Sequence, residues 1–256
     1  MTWDHVTIEH VDAVARVRFS RPDCRNALSL ALIGELTEAA HHVAADTGIR
    51  AVVLAGGGGV FSAGLDLRDE NWDPETAPTV EALRARWQRG TEMCAAWEAV
   101  PQPTIAAIEG YAVGGGLVLA LALDWRVLAR GAFVTLPEIS IGLSLGWGAL
   151  PRLTALIGPA RAKRAAILCE RLDAARAADW GLADEVADDG GAEAAALAMA
   201  AKAAAMPVGP TRMAKATVNA TAHALLPLIA HRDGDQVALS LQSPEFAATI
   251  AAFARR

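Results

Sequence analysis

The chain is poor in cysteine: three in 256 residues, Cys24, Cys94 and Cys169. They show neither a pairing pattern nor metal-ligand spacing, so reduced thiols in a cytoplasmic protein are the expectation. Long apolar runs are missing as well. The run from Leu117 to Ala122 stops at Asp124, far short of the ~20 residues of a membrane span. Met1 to His5 carry no basic stretch leading into an apolar one, so no secretory signal is read there. Positive charge is scarce, and the formal net charge of −6 argues against a general nucleic-acid binder. Histidines are few: His5, His10, His41, His42, His223 and His231. None has acidic or cysteine partners at ligand spacing, so no metal site is expected. None is clearly brought to Ser62, which argues against a Ser-His-Asp hydrolase.

What is present is apolar and periodic. The hydrophobic fraction is 53%, much of it alanine, and a chain of this length buries ~70–75% of its unfolded surface. Alternation over Ala13 to Phe19 predicts a half-exposed strand, and Arg21-Pro22-Asp23 ends it. Ser29 is placed to cap a helix whose apolar face is Leu32, Ile33, Leu36, Ala40 and Val43, with Gly48 as its end. Residues 49–54, 104–108, 125–129 and 132–135 read as strands, and 78–99 and 115–122 as helices. Strands alternating with helices favour an α/β core with crossover connections. Beyond Pro151 only helical signals remain, at 159–169, 173–180, 191–205, 207–221 and 243–254, with Asp173 and Pro207 marking two starts. Arg68 to Pro78, acidic and containing two prolines, reads as a loop, and Asp188 to Gly191 as an exposed turn.

Two glycine-bearing turns carry the chemistry. Phe61-Ser62-Ala63-Gly64-Leu65-Asp66 follows the apolar strand Ala51 to Leu54, and Gly114-Gly115-Gly116 opens an apolar helix. Glycine permits close backbone approach, and a helix start presents unpaired N–H groups and the positive end of its dipole. Facing each other, two such turns make a pocket of donors for a negatively charged oxygen, as an enolate requires. Taken alone, they could equally be tight strand-to-helix connections. Nucleotide loops fit worse. Gly59 to Gly64 has loop spacing, but Leu65-Asp66 follows where Lys and Ser/Thr are needed, and Gly56 to Gly59 lacks the third glycine of a dinucleotide fingerprint.

The turns and their surroundings resemble the crotonase superfamily, the enoyl-CoA hydratase/isomerase family. The matching residues run in order along the chain. They are Arg21-Pro22 with Asn26-Ala27-Leu28, Phe61 to Leu67, Ile108 to Gly116, Asp124, Ala132-Phe133, Leu136-Pro137-Glu138, Gly142, Pro151-Arg152-Leu153, and Ser243 to Phe246 with Phe253. The resemblance implies a ββα spiral core over residues 1–195 and a C-terminal helical trimerisation region over 196–256. It also implies a homotrimer or dimer of trimers, with the C-terminal helices packed between subunits. The substrate it implies is an acyl-CoA thioester, with no cofactor beyond the coenzyme A moiety, no metal and no redox group.

In that resemblance the backbone N–H groups of Leu65 and Gly115 hold the thioester oxygen and Glu138 moves protons. Without it, Glu138 would read as a solvent-facing glutamate in a short extended segment. Pantetheine would pass between the turns, with adenine near Phe61, Ala63 and Gly64, beside Gly114. Arg68 and Arg25 could meet coenzyme A phosphates or be solvated surface charges. Asp66 and Asp124 read as structural acceptors. Trp87, Met93, Trp97, Leu143, Leu145 and Trp147 are candidates for an acyl pocket, Trp147 foremost because Gly146 and Gly148 flank it. Ser140 and Ser144 could add polar contacts.

At one position the chain departs from the hydratase pattern: Val118 stands where hydratases carry a second Glu. Valine neither holds water nor moves a proton. Single-Glu members resemble Δ3,Δ2-enoyl-CoA isomerases, so double-bond isomerisation is the expectation and 2-enoyl-CoA hydration the alternative. Glu92, Glu98 or an acid of the 69–81 loop could substitute for the missing carboxylate. An acyl-CoA thioester hydrolase and a non-catalytic acyl-CoA- or RNA-binding relative are further alternatives.

Overall fold

The computed structural model describes residues 3–69, 79–230 and 232–253. Residues 70–78, the greater part of the expected acidic loop, and His231 lie outside the described residues. The strands are β1 (Val6–Val11), β2 (Val14–Phe19), β3 (Ala51–Gly56), β4 (Thr104–Ile108), β5 (Tyr111–Val113), β6 (Trp125–Ala129), β7 (Phe133–Thr135), β8 (Leu172–Asp173) and β9 (Glu185–Ala187). The helices are α1 (Leu30–Ala45), α2 (Val80–Glu98), α3 (Gly115–Leu121), α4 (Ala149–Ile167), α5 (Ala174–Trp180), α6 (Ala192–Ala204), α7 (Val208–Ala222), α8 (Leu226–Ala230), α9 (Asp233–Leu241) and α10 (Pro244–Phe253). Among the described residues no helix is long and apolar enough to cross a membrane.

Six strands form one sheet in the order β1-β2-β3-β4-β6-β9, antiparallel only between β1 and β2. A three-stranded sheet, β5-β7-β8, stands beside it. Parallel strands need crossovers, and these bury both faces of the sheet. Ala51 to Leu54 and Ile105, Ala106 and Ile108 are accordingly almost wholly shielded from solvent. Helix α6 packs on β2, β3, β4 and β6 and so belongs to the core layer. Residue 195, the expected boundary, lies inside this helix.

Local chemistry sets the element ends. Ser29 caps α1 by accepting from Leu32 N, and Asp173 caps α5 by accepting from Arg176 N. Helix α1 stops at Ala45, before the expected Gly48, because Asp46 Oδ1 takes the Gly48 N–H into a turn of its own. Asp124 accepts from Thr104 N and pairs with Lys215 Nζ at 2.6 Å, which ties β4 to α7.

Candidate active site

The first glycine turn is held by the Arg21 to Leu28 segment. Asn26, fully buried with φ +55°, accepts from Arg21 N and donates to the carbonyls of Gly57 and Val60. Ser62 Oγ donates to Asn26 O, and Ala63 N donates to Arg25 O. Arg21 Nη1 reaches Asp66 Oδ2 at 2.8 Å. Leu28 N donates to Gly64 O and accepts at its own carbonyl from Asp66 N, a parallel bridge between Leu28 and Leu65. In such a bridge the N–H of the central residue points away from its partner, so the Leu65 N–H is turned off the bridge. Asp66 is structural: beyond Arg21, it accepts from Arg68 N.

The second turn lies against the first. Val113 N donates to Ser62 O, and Ser62 N to Tyr111 O. Gly64 has φ +91°, and a Cβ there would lie 2.7 Å from Val113 O and 3.5 Å from Gly115 N. Only glycine allows this approach. Gly114, with φ +50°, donates to Thr135 O and leads into α3, whose first residue is Gly115. An N–H in the first helical turn has no intrahelical acceptor. Neither Leu65 N nor Gly115 N has a hydrogen-bond partner among the described residues.

Glu138 follows Pro137 and opens a single 3-10 turn, Glu138–Ile141, rather than the extended segment expected. The turn closes on Gly142 in the left-handed region, and Leu143 N donates to Glu138 O. This aims the side chain at the second donor turn: a Cβ on Gly114 would stand 2.7 Å from Glu138 Oε1. The residue is half-buried, but its carboxyl end is sheltered, and Oε2 has no partner among the described residues. Burial pushes its pKa from 4.5 to about 7, against a smaller downward pull from its own backbone N–H.

These groups share one cavity of about 110 Å³. Ala63, Gly64, Leu65, Gly114, Gly115, Val118, Glu138 and Trp147 all line it, together with Trp87, Leu143 and Ser144. Glu138 is the single titratable side chain among the described lining residues.

Other expected site residues lie elsewhere. The Phe61 ring is fully buried and stacks edge-on against Phe19 at 5.2 Å, so this side chain is part of the core. Arg25 and Arg68 are exposed and line no part of the cavity. Met93, Trp97 and Leu145 are core. Glu92 is exposed, and Glu98 is engaged by Arg152 and His223. Residues the sequence reading left out include Leu67, Val113, Pro137 and Ile141, which complete the apolar wall. Their apolar character alone gave no signal of this.

Residues 9–254 match the family model described as enoyl-CoA hydratase/isomerase. The chain belongs to the enoyl-CoA hydratase/isomerase family. It is an enzyme of that family, and its α/β fold with a helical C-terminal region is the crotonase fold. Among family relatives, 4-chlorobenzoyl coenzyme A dehalogenase-2 of Arthrobacter is 31% identical over 252 residues, 97% of this chain and 90% of that one. A probable enoyl-CoA hydratase of Mycobacterium tuberculosis is 36% identical over 222 residues, 86% of this chain and 82% of the relative. A solved enoyl-CoA hydratase/isomerase from Xanthobacter autotrophicus superposes with a TM-score of 0.91 at 29% identity, covering 99% of this chain and 94% of that one.

Proposed function

We propose that the protein isomerises the double bond of an enoyl-CoA. The thioester oxygen sits between the N–H groups of Leu65 and Gly115, and Glu138 is the acid/base. The Glu138 carboxylate takes a proton from C2 of a 3-enoyl thioester. The C–H electron pair moves into the carbonyl and leaves an enolate, whose oxygen carries the charge toward the two donors. The protonated Glu138 then returns that proton at C4 as the double bond settles between C2 and C3, so no atom is gained or lost. A carboxyl whose pKa is pushed up to about 7 accepts and releases a proton with comparable ease near neutrality.

The observation that carries this reading is the lone buried carboxyl of Glu138 beside two unpaired backbone donors. Val118 lines the same cavity and leaves no second carboxylate there among the described residues to activate water. No cofactor is required beyond the coenzyme A moiety of the substrate. Arg68, following the exposed Leu67 at the cavity rim, and Arg25 are the cations proposed for its phosphates. A homotrimer or dimer of trimers is the assembly we favour, supported by exposed Met213, Val218, Leu225 and Leu228 on and after α7.

The test is a panel of 2-enoyl- and 3-enoyl-CoA thioesters in deuterated water. Alkene position, deuterium at C2 and C4, water addition and thiol release are followed together. Migration from C3 to C2 is expected, with Glu138→Gln slowing it ~10²–10⁴-fold while acyl-CoA still binds. Full activity in that variant refutes the role of Glu138. Hydration without migration makes the enzyme a hydratase, and steady thiol release makes it a hydrolase.

A further inference from the structure

Trp147 and Gly148 are consecutive residues in the left-handed region, with φ +59° and +71°. For a tryptophan this conformation costs ~1–2 kcal/mol, and it persists only where surrounding groups enforce it. Two charged groups do so here. Arg152, buried in the first turn of α4, donates from Nη1 to Trp147 O at 2.8 Å and to Gly148 O at 3.3 Å. Asp233 Oδ2, from α9, accepts from Gly148 N at 2.8 Å.

The guanidinium is itself fixed. Its Nε and Nη2 both donate to Glu98 Oε2 at the end of α2, and His223 Nδ1 lies 2.6 Å from the other Glu98 oxygen. Burial alone would raise the Glu98 pKa, but the hydrogen bonds and charges of His223 and Arg152 outweigh it and hold the carboxyl below its usual value. A buried arginine so neutralised retains its forked geometry for the two carbonyls.

The backbone conformation so enforced places the indole. A Cβ on Gly115 would come within 2.6 Å of Trp147 Cζ3, and one on Gly90 within 2.0 Å of Trp147 Cε2. The ring is in tight contact both with Gly90 of α2 and with the residue proposed as second donor. The room for it comes from Gly90 and Gly115, not from the flanking Gly146 and Gly148.

We propose that Arg152 is a positioning residue: with Glu98 and Asp233 it holds Trp147 so that the indole braces Gly115 and fixes the direction of its N–H. This rests on the donor role given to Gly115 above. The bracing acts on the charge that develops during reaction, more than on the affinity for the coenzyme A moiety.

The experiment compares Arg152→Lys, Gly90→Ala and Glu138→Gln. Steady-state kcat and KM for alkene migration, deuterium exchange at C2, and thermal unfolding are measured for each. Arg152→Lys keeps the charge but cannot make both contacts, and a fall in kcat of about 10–100-fold with KM within about threefold is expected, an oxyanion-donor effect of partial size. Gly90→Ala presses on the indole at Cε2, away from the Cζ3 that meets Gly115, and should show the same split. It decides the matter if Arg152→Lys does not fold. Unchanged kcat in a folded Arg152→Lys or in Gly90→Ala overturns the proposal. If Glu138→Gln abolishes exchange while those two variants keep full kcat, the bracing alone has failed. If Glu138→Gln keeps full exchange, the reaction reading has failed first.

Discussion

Replacing Glu138 with glutamine should make the protein more stable, and increasingly so as pH rises. The carboxyl sits at about 7 in the folded chain against 4.5 when solvated, because burial disfavours its charged form. Between those values the native state holds a proton that the unfolded chain has released. The wild type therefore loses stability as pH climbs through this window. The full loss, reached above about 7, is on the order of 3 kcal/mol. Glutamine does not titrate and is spared it. Any fixed cost of the amide shifts the variant equally at every pH, so the diagnostic quantity is the slope of the difference. Urea unfolding of both proteins from pH 4 to pH 8.5 measures it. The difference should be flat below about pH 4.5, grow in favour of the variant to about pH 7, and level off. A difference independent of pH, or one growing in favour of the wild type, would refute a sheltered carboxyl at this position.

Two further perturbations address the donor turns. Asn26→Ala removes three hydrogen bonds and leaves two part-buried carbonyls without this partner, so a loss of about 2–4 kcal/mol in unfolding free energy is expected, with a fall in kcat as the Leu65 turn loosens. Gly114→Ala forces a side chain into the left-handed region and against Glu138 Oε1, which should cost about 1–3 kcal/mol and lower kcat at least tenfold, read by calorimetry and the migration assay.

Legibility followed the range of the interactions. Helix α1, with its Ser29 cap, and α5, with Asp173, were readable because their signals are local. The buried strands β3 and β4 stood out as apolar runs. The strands β5, β8 and β9, two or three residues each, went unread, because they exist through pairing with β7 or β6 rather than through any periodicity of their own. Helix α4 is two helical runs: the second begins at Pro159, as expected, after Gly158 leaves helical geometry at φ +76° and ψ +163°, whereas the first, from Ala149, went unread because Pro151 falls in its first turn, where proline is tolerated. The two glycine turns and Glu138 were legible as motifs, and the structure brings them to one cavity. The burial of the Phe61 ring went unread because a motif position does not say which way a ring points. The Arg152, Glu98 and Asp233 contacts join residues 54 to 85 apart in sequence, beyond the reach of spacing arguments.

The outer side of the Glu138 to Gly148 loop is covered by α9 and α10. Ser240 Oγ accepts from Ser144 N, Asp233 from Gly148 N, and Phe246 N lies where a side chain on Gly142 would stand. During synthesis the sheet and both donor turns emerge well before these last helices do. A nascent polypeptide would thus have both glycine turns in place while the Glu138 loop still lacked its back wall. Competence would arrive only once α9 and α10 have packed against the loop.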